Sequence, residues 1–322
     1  MENASDNSTI EVADLVGALE EFLRNGNRLE MIMPADSPRI AVVSGKGGTI
    51  RLISNNSVAS NAATDVQRRG WVKGRAGMAY LDLIPDRFAG DVVASRIRLS
   101  QGGPVADSVH FHRIDLQIIF CLNGRVRVVY EDQGPPFWLE PGDCVLQPRE
   151  IRHRVLEAEA GSEVLELACP AEHETWIDHE LDLPNQNLDT ERDFGGQRFV
   201  RHIASTAEWS EFYEKRVSHR DTGISEATDG FAAVNILKIP ADAREVVGLS
   251  SGRDGFEFLY VLSGRLEISE NGQAVTATDA GGGVVVPRGT NIVRNFHPGT
   301  EAVCIQIPKF RSIEDSIETA VN

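Results

Sequence analysis

The sequence predicts an all-β fold made of two copies of one β-module, preceded by a short helical extension. Between residues 78 and 170, short runs rich in β-branched and aromatic residues alternate with Gly, Pro, Asn and Asp, which is the pattern of a β-sandwich or barrel. The same order of runs returns later in the chain. Gly90 and Gly124 are 34 positions apart, and so are Gly230 and Gly264. This equal spacing indicates an internal duplication.

Length, charge and cysteine use narrow the class of protein. The chain has 322 residues, enough for two domains, and its net charge of −16 disfavours nucleic acid and anionic membrane surfaces as partners. No run of 18 apolar residues is present, and the N-terminus lacks the basic start of a signal peptide. We therefore expect a cytoplasmic protein whose cysteines are reduced and mostly buried, namely Cys121, Cys144, Cys169 and Cys304.

The pattern divides the chain into an extension, two barrels, a connector and a tail. In the extension, apolar residues recur at helical spacing from Val12 to Leu23. The run "VVSGKGG" begins like a phosphate-binding loop, but a β-type run follows it, which favours a glycine hairpin. The expected bounds are 1–77 for the extension (helix at about 10–25, then short strands), 78–181 for the first barrel, 182–214 for the connector with one short helix near 205–215, 215–310 for the second barrel and 311–322 for the tail.

The strongest chemical signal is a set of histidines in the first copy. His110 and His112 are two residues apart, so a strand would point both imidazoles to one face. Gln117 follows on the next predicted strand, and His153 comes five residues after Pro148. Three imidazoles and one amide oxygen can bind a first-row divalent metal and leave positions open, as a catalytic site requires.

These residues stand in a pattern that resembles a known family. The run G-x6-H-F-H-x4-Q-x6-G begins at Gly103, and G-x5-P-x4-H begins at Gly142. Together they resemble the two motifs of the cupin superfamily, except that Gln117 stands where cupins usually have Glu and Glu150 where they usually have Gly. The resemblance extends over residues 78–310, so the chain resembles a bicupin.

The resemblance implies two tandem double-stranded β-helix (jelly-roll) barrels and a metal centre in the first. By that resemblance His110, His112 and His153 are metal ligands, and Gln117 is a fourth or nearby ligand. Because Gln117 is neutral, the metal would keep its full charge and attract a bidentate anion such as an enolate or catecholate.

The glutamine also removes the carboxylate that could act as a general base. Deprotonation of a substrate would then depend on the Lewis acidity of the metal, or on a nearby group such as Glu157 or His173. On the preceding strand we expect either Arg96 or Arg98 to face the barrel interior and hold a substrate carboxylate or enolate oxygen.

The second copy keeps the glycine and proline pattern but not the histidines. Ser250, Gly252 and Ile292 stand where the first copy has its three histidines, and only Glu257 remains at the position of Gln117. We therefore expect no metal there. This barrel would pack against the first, close its pocket or form a subunit interface, and a metal-free small-molecule pocket is the alternative.

The resemblance implies a metal-dependent enzyme, and we predict a non-haem Fe(II) dioxygenase. It would use O2 to cleave a C–C bond in a small enolisable or phenolic substrate, such as a diketone or hydroxyaryl ketone. Zn or Ni in the same site would instead predict a non-redox cyclase, isomerase or lyase, and Mn is a further possible metal. A third hypothesis is a regulatory bicupin that binds a small molecule without turnover. We also expect a homodimer.

Overall fold

A computed structural model describes residues 8–55, 70–74, 77–212, 217–244, 246–250, 255–289 and 291–308 of the chain. The chain divides into two compact units, residues 1–141 with 147–194 and residues 142–146 with 195–322. The division after Phe194 lies within the predicted connector of residues 182–214. None of the described helices is both long enough and apolar enough to cross a membrane.

The first unit begins with a short strand, which is followed by a helix packed on three antiparallel strands. Asp14 caps the helix by accepting a hydrogen bond from the Gly17 amide at 3.0 Å. The helix residues Leu15 and Leu19 are buried against the strands. The glycine hairpin predicted at "VVSGKGG" is confirmed, because the strands on either side of its turn are antiparallel and Gly45 lies opposite Gly48. The elements are β1 (Ser8–Val12), α1 (Leu15–Arg24), β2 (Arg28–Met33), β3 (Ile40–Gly45) and β4 (Gly48–Ser54).

The strands that follow form the first barrel, except β13, which belongs to the second unit. They are β5 (Val72–Lys73), β6 (Met78–Asp82), β7 (Val93–Leu99), β8 (Gly103–Pro104), β9 (His110–Arg113), β10 (Leu116–Asn123), β11 (Val126–Tyr130), β12 (Phe137–Leu139), β13 (Cys144–Leu146), β14 (His153–Ala158), β15 (Ser162–Cys169) and β16 (Glu174–Ile177).

Two sheets of this unit enclose its interior. One has the strand order β1-β4-β3-β2-β16-β9-β14-β11-β12, so the N-terminal strands extend the barrel sheet through β2 and β16. The other contains the order β10-β15-β7-β6-β5. Alternate residues along these strands are buried, as in Val93–Leu99, which places one face of each strand inside the barrel.

The second unit repeats this architecture with two further sheets. Their orders are β18-β19-β20-β27-β22-β25 and β21-β26-β23-β24, while β13 pairs with β17. The elements are β17 (Val200–His202), β18 (Ser210–Phe212), β19 (Val217–Asp221), α2 (Ile224–Ala227), β20 (Ala233–Lys238), β21 (Val247–Ser250), β22 (Phe256–Ser263), β23 (Arg265–Glu270), β24 (Gln273–Asp279), β25 (Gly283–Val285), β26 (Ile292–Phe296) and β27 (Glu301–Ile307).

The registers of the two units match, which confirms the all-β fold with two tandem barrels. In the first unit Gln117 lies opposite Ala168, and in the second Glu257 lies opposite Gln306. The short helix predicted near residues 205–215 is wrong for its described part, because Ser210–Phe212 pairs with β19 as a strand. Residues 213–216 of that prediction lie outside the described residues.

Candidate metal centre

The three histidines of the first barrel converge on one point. His110 and His112 project from the same face of β9, and His153 at the start of β14 lies directly opposite His110 in the register. The ring centroid of His110 is 4.2 Å from that of His153 and 5.1 Å from that of His112. All three side chains are buried, and one candidate ligand atom from each lies within 4.8 Å of the others.

Hydrogen bonds fix the orientation of each ring. The Nδ1 atoms of His110 and His153 lie 2.8 and 3.0 Å from the carbonyl oxygens of Ser108 and Ile151. A carbonyl only accepts, so Nδ1–H donates and Nε2 carries the lone pair of the neutral ring. Such outer contacts commonly set the tautomer of metal-binding histidines.

The third imidazole is held by a side chain instead of a carbonyl. The Nδ1 atom of His112 lies 2.9 Å from the Thr175 hydroxyl on the neighbouring strand β16, where Thr175 is opposite His112. Near His110, the buried Asp107 carboxylate is 3.7 Å from Nδ1 and accepts the Val155 amide. The barrel therefore presets these ligands before any ion binds.

Gln117 lines the same cavity as the three histidines, and its amide is half satisfied. Its side-chain nitrogen donates to Glu166 Oε1 at 2.7 Å. Its side-chain oxygen is buried and has no hydrogen-bond partner among the described residues. Three orientated imidazoles beside an unpartnered oxygen form a donor set that fits one divalent transition metal.

A cavity of about 110 Å³ lies against the histidines. Its walls are mostly aliphatic and aromatic side chains from both sheets, including Ile97, Val128, Tyr130 and Val155. No lysine or arginine is among the described residues that line it. An apolar cavity of roughly 150 Å³ can hold benzene, so this one suits a small ligand.

Two side chains considered as possible bases have very different positions. Glu157 is partly exposed on β14, where it pairs with Arg127 at 3.8 Å, and it does not line the cavity. His173 is buried in the cavity wall with its ring centroid 5.2 Å from that of His112. Burial lowers the pKa of His173, although Asp36 and a hydrogen bond to the Pro170 carbonyl partly oppose the shift.

Arg96 and Arg98 do not reach the cavity. Both bond to Glu163, and both guanidinium groups lie over the ring of Trp71. The expectation that one of them faces the interior is therefore wrong. Residues i and i+2 of a strand share a face, and on β7 the inward face belongs to Val93, Ser95, Ile97 and Leu99.

Two residues of the site, Glu166 and Thr175, are not predicted by the sequence motifs. Glu166 lines the cavity from β15, whereas Glu163 on the same strand faces outward to the arginines. Strand parity in "SEVLELAC" separates the two glutamates, since they are three residues apart, but it does not say which of them faces inward. Thr175 carries no local signal, because its role depends on the pairing of β16 with β9.

The fold of this chain is similar to that of several solved structures. The chain is similar to a variant of oxalate decarboxylase from Bacillus subtilis, with 13% identity over 73% of each chain and a TM-score of 0.52. It is also similar to a protein from Pseudomonas aeruginosa described as glyoxylate-induced, with 13% identity over 76% of this chain and 84% of that chain and a TM-score of 0.51.

No protein-family model matches the sequence, and neither does any curated protein. At such low identity, the likeness to solved structures establishes the fold. The fold, the matching registers and the convergent histidines agree with the sequence motifs. The chain therefore has a fold of two tandem β-barrels like that of these solved structures, and its first barrel carries a three-histidine candidate metal centre.

Proposed function

We propose that the chain is a metal-dependent enzyme whose centre lies in the first barrel. The observation that carries the proposal is the convergence of His110, His112 and His153 at the wall of a small cavity. Three protein ligands leave coordination positions open for a chelating substrate, whereas a structural metal site is usually closed.

The cavity favours a substrate with a chelating head and an apolar body. Its walls are mostly aliphatic and aromatic, and no cationic side chain lines it among the described residues. A second carboxylate of a small dianion such as oxalate would have no cationic partner there, and an unpaired buried charge is costly. A diketone or a small hydroxyaryl ketone places its oxygens at the metal and its carbon skeleton against the apolar wall.

We propose O2-dependent cleavage of a C–C bond in such a substrate, with iron as the metal. The bound metal would supply Lewis acidity towards the substrate oxygens and redox chemistry towards O2. The protein would orient the substrate, exclude water with its apolar walls and accept the substrate proton. Glu166 and His173 line the cavity and have the chemistry to accept that proton.

A non-redox enzyme that uses the same ligands is the second candidate. One of the similar oxalate decarboxylase structures is described by its Mn(II) centres, and imidazole ligands also suit Zn and Ni. Such an ion would polarise the substrate for a lyase, isomerase or cyclase reaction without consuming O2. The two candidates differ in metal and in oxygen uptake, so one experiment separates them.

The test is metal analysis of protein purified without added metal, followed by oxygen-uptake assays. We expect about one iron per chain, lost in His110→Ala/His112→Ala and kept in His297→Ala, a control from the second unit. Acetylacetone and ortho-hydroxyacetophenone are the first substrates to assay, with one O2 consumed per substrate cleaved.

Two other outcomes would change the conclusion. About one Zn, Ni or Mn per chain, without oxygen uptake, would favour the non-redox enzyme. Equal trace metal in wild type and in the double histidine variant, unchanged after reconstitution with divalent ions, would overturn the metal centre and leave a binding protein.

A further inference from the structure

Gln117 and Glu166 form a pair across two neighbouring strands inside the first barrel. Gln117 on β10 lies opposite Ala168 on β15, so Glu166 is its diagonal neighbour on the same face. Both side chains line the cavity, and the Gln117 nitrogen donates to Glu166 Oε1 at 2.7 Å. The hydrogen bond therefore lies inside the barrel, at the wall of the cavity that the three histidines also line.

This hydrogen bond sets the orientation of the Gln117 amide. A carboxylate only accepts, so it binds the NH2 end of an amide and turns the oxygen away. The Gln117 side chain is 3% exposed, and its oxygen has no hydrogen-bond partner among the described residues. Because buried polar atoms are normally satisfied, the oxygen requires a partner that the described side chains do not supply.

We propose that Glu166 is a positioning residue that holds the Gln117 amide oxygen as the fourth protein donor of the metal centre. This inference rests on the proposed metal centre. If Glu166 is removed, the amide can rotate and present its NH2 group, which has no lone pair suited to a metal. Outer contacts of this kind commonly change metal affinity by about 10- to 100-fold.

The second barrel shows the same two positions arranged without an available oxygen. Glu257 corresponds to Gln117, and Cys304 corresponds to Glu166. Glu257 Oε1 accepts from Arg294, from Gln306 at 3.1 Å and from Cys304 at 3.4 Å. Donors from the protein satisfy that oxygen, whereas the Gln117 oxygen has no hydrogen-bond partner among the described residues.

The experiment measures Co(II) binding to metal-free protein, by competition with a chelator and by the visible absorption spectrum. Glu166→Leu removes the acceptor, Glu166→Gln keeps an acceptor oxygen, and Gln117→Leu removes the proposed donor. We expect Glu166→Leu to weaken binding about 10- to 100-fold and to acquire the spectrum of Gln117→Leu. Glu166→Gln should have the Co(II) affinity and the spectrum of wild type. The double variant Glu166→Leu/Gln117→Leu should bind Co(II) no more weakly than Gln117→Leu alone.

Each other outcome has a separate meaning. Co(II) binding that requires the histidines, but has the same affinity and spectrum in Glu166→Leu as in wild type, overturns the positioning role alone. An unchanged Gln117→Leu spectrum overturns the amide ligand. Equal binding by wild type and His110→Ala/His112→Ala overturns the metal centre and this inference with it. Circular dichroism checks folding, and Glu166→Ala replaces Glu166→Leu if leucine prevents folding.

Discussion

The two barrels have the same strand order and matching registers, but different interiors. The first encloses three imidazoles and an apolar cavity. In the second, Arg294 extends from one sheet to the other and pairs with Glu257, and both side chains are buried. Arg294 lies opposite Ile268 as Val155 lies opposite Val128, so it takes the place of a residue that lines the first cavity.

The difference shows how one module can serve two purposes. The second barrel holds a fixed cation, since the Arg294 guanidinium bonds to Glu257 and its Nε donates to the Leu249 carbonyl at 3.4 Å. The first barrel supplies neutral donors around a space where an external cation can bind. The shared registers preserve the fold, while a few inward-facing positions decide the chemistry.

The largest expected effect comes from breaking the buried pair of the second barrel. Glu257→Gln removes the carboxylate charge that pairs with the buried Arg294 guanidinium, which should lower the free energy of unfolding by about 3–5 kcal/mol. Urea unfolding at neutral pH measures this loss. Because the metal centre belongs to the first barrel, the metal content of the folded variant should equal that of wild type.

A matched control tests whether the loss of stability depends on burial of the ion pair. Glu267 pairs with Arg265 at 3.1 Å on the exposed face of the same barrel, so Glu267→Gln should cost far less. Replacing both buried partners by Glu257→Leu/Arg294→Met should recover most of the stability, because no charge remains buried. A fall in metal content in Glu257→Gln would contradict the separation of the two interiors.

The features that the sequence predicted correctly are those that depend on local patterns. The turn glycines, the alternating strands and the equal intervals between Gly90 and Gly124 and between Gly230 and Gly264 predict two β-modules. His110 and His112 were assigned to one face from their spacing alone. Their convergence with His153 followed from motif resemblance, and the structure places the three together.

The features that could not be predicted from the sequence depend on which strands pair and on which face of a strand points into the barrel. Glu166 meets Gln117 only because β15 pairs with β10 in one register, and nothing local encodes that register. Strand parity alone predicts that Arg96 and Arg98 share one face, and the structure shows that this face is outward. The predicted helix near residues 205–215 failed because pairing with β19 overrode a mixed polar pattern.

An intermediate effect is expected from the ion pair on the outer face of the first barrel. Burial opposes ionisation of Glu163 by desolvation, but hydrogen bonds from Arg96 and Arg98 outweigh it, so its pKa lies below the ordinary value. The ionised form is therefore more favourable in the folded protein than in the unfolded chain. Its contribution to stability is complete at neutral pH and is lost as the pH falls below about 4.3 through the folded-state pKa.

Glu163→Gln should therefore destabilise the protein by about 1–2 kcal/mol at pH 7 and progressively less towards pH 3. Urea midpoints of wild type and variant at pH 7, 5 and 3 measure the difference. Glu159→Gln, at an exposed pair with Arg125, is the control and should show little pH dependence. A difference between Glu163→Gln and wild type that stays constant with pH would show that packing of the side chain, not its charge, stabilises this face.

The smallest expected effect on the native protein concerns its thiols, and it tests whether the two interiors open separately. None of the four cysteines forms a disulfide, and all four are buried. Burial, with a smaller contribution from Asp115 and Asp91, raises the pKa of Cys169 to about 12, and burial beside Glu257 raises the pKa of Cys304 well above its ordinary value. Since the thiolate is the reactive form, we expect almost no labelling by an aromatic disulfide reagent at neutral pH until urea is added.

The same reagent also tests whether the interiors of the two barrels open independently. Glu257→Gln should speed the labelling of Cys304, which loses the packing around the buried pair, and leave Cys169 in the first unit as slow as in wild type. Mass spectrometry of the labelled peptides distinguishes the two sites. Equal acceleration at Cys169 would mean that the buried pair of the second barrel stabilises both units, so that its role extends beyond filling one barrel.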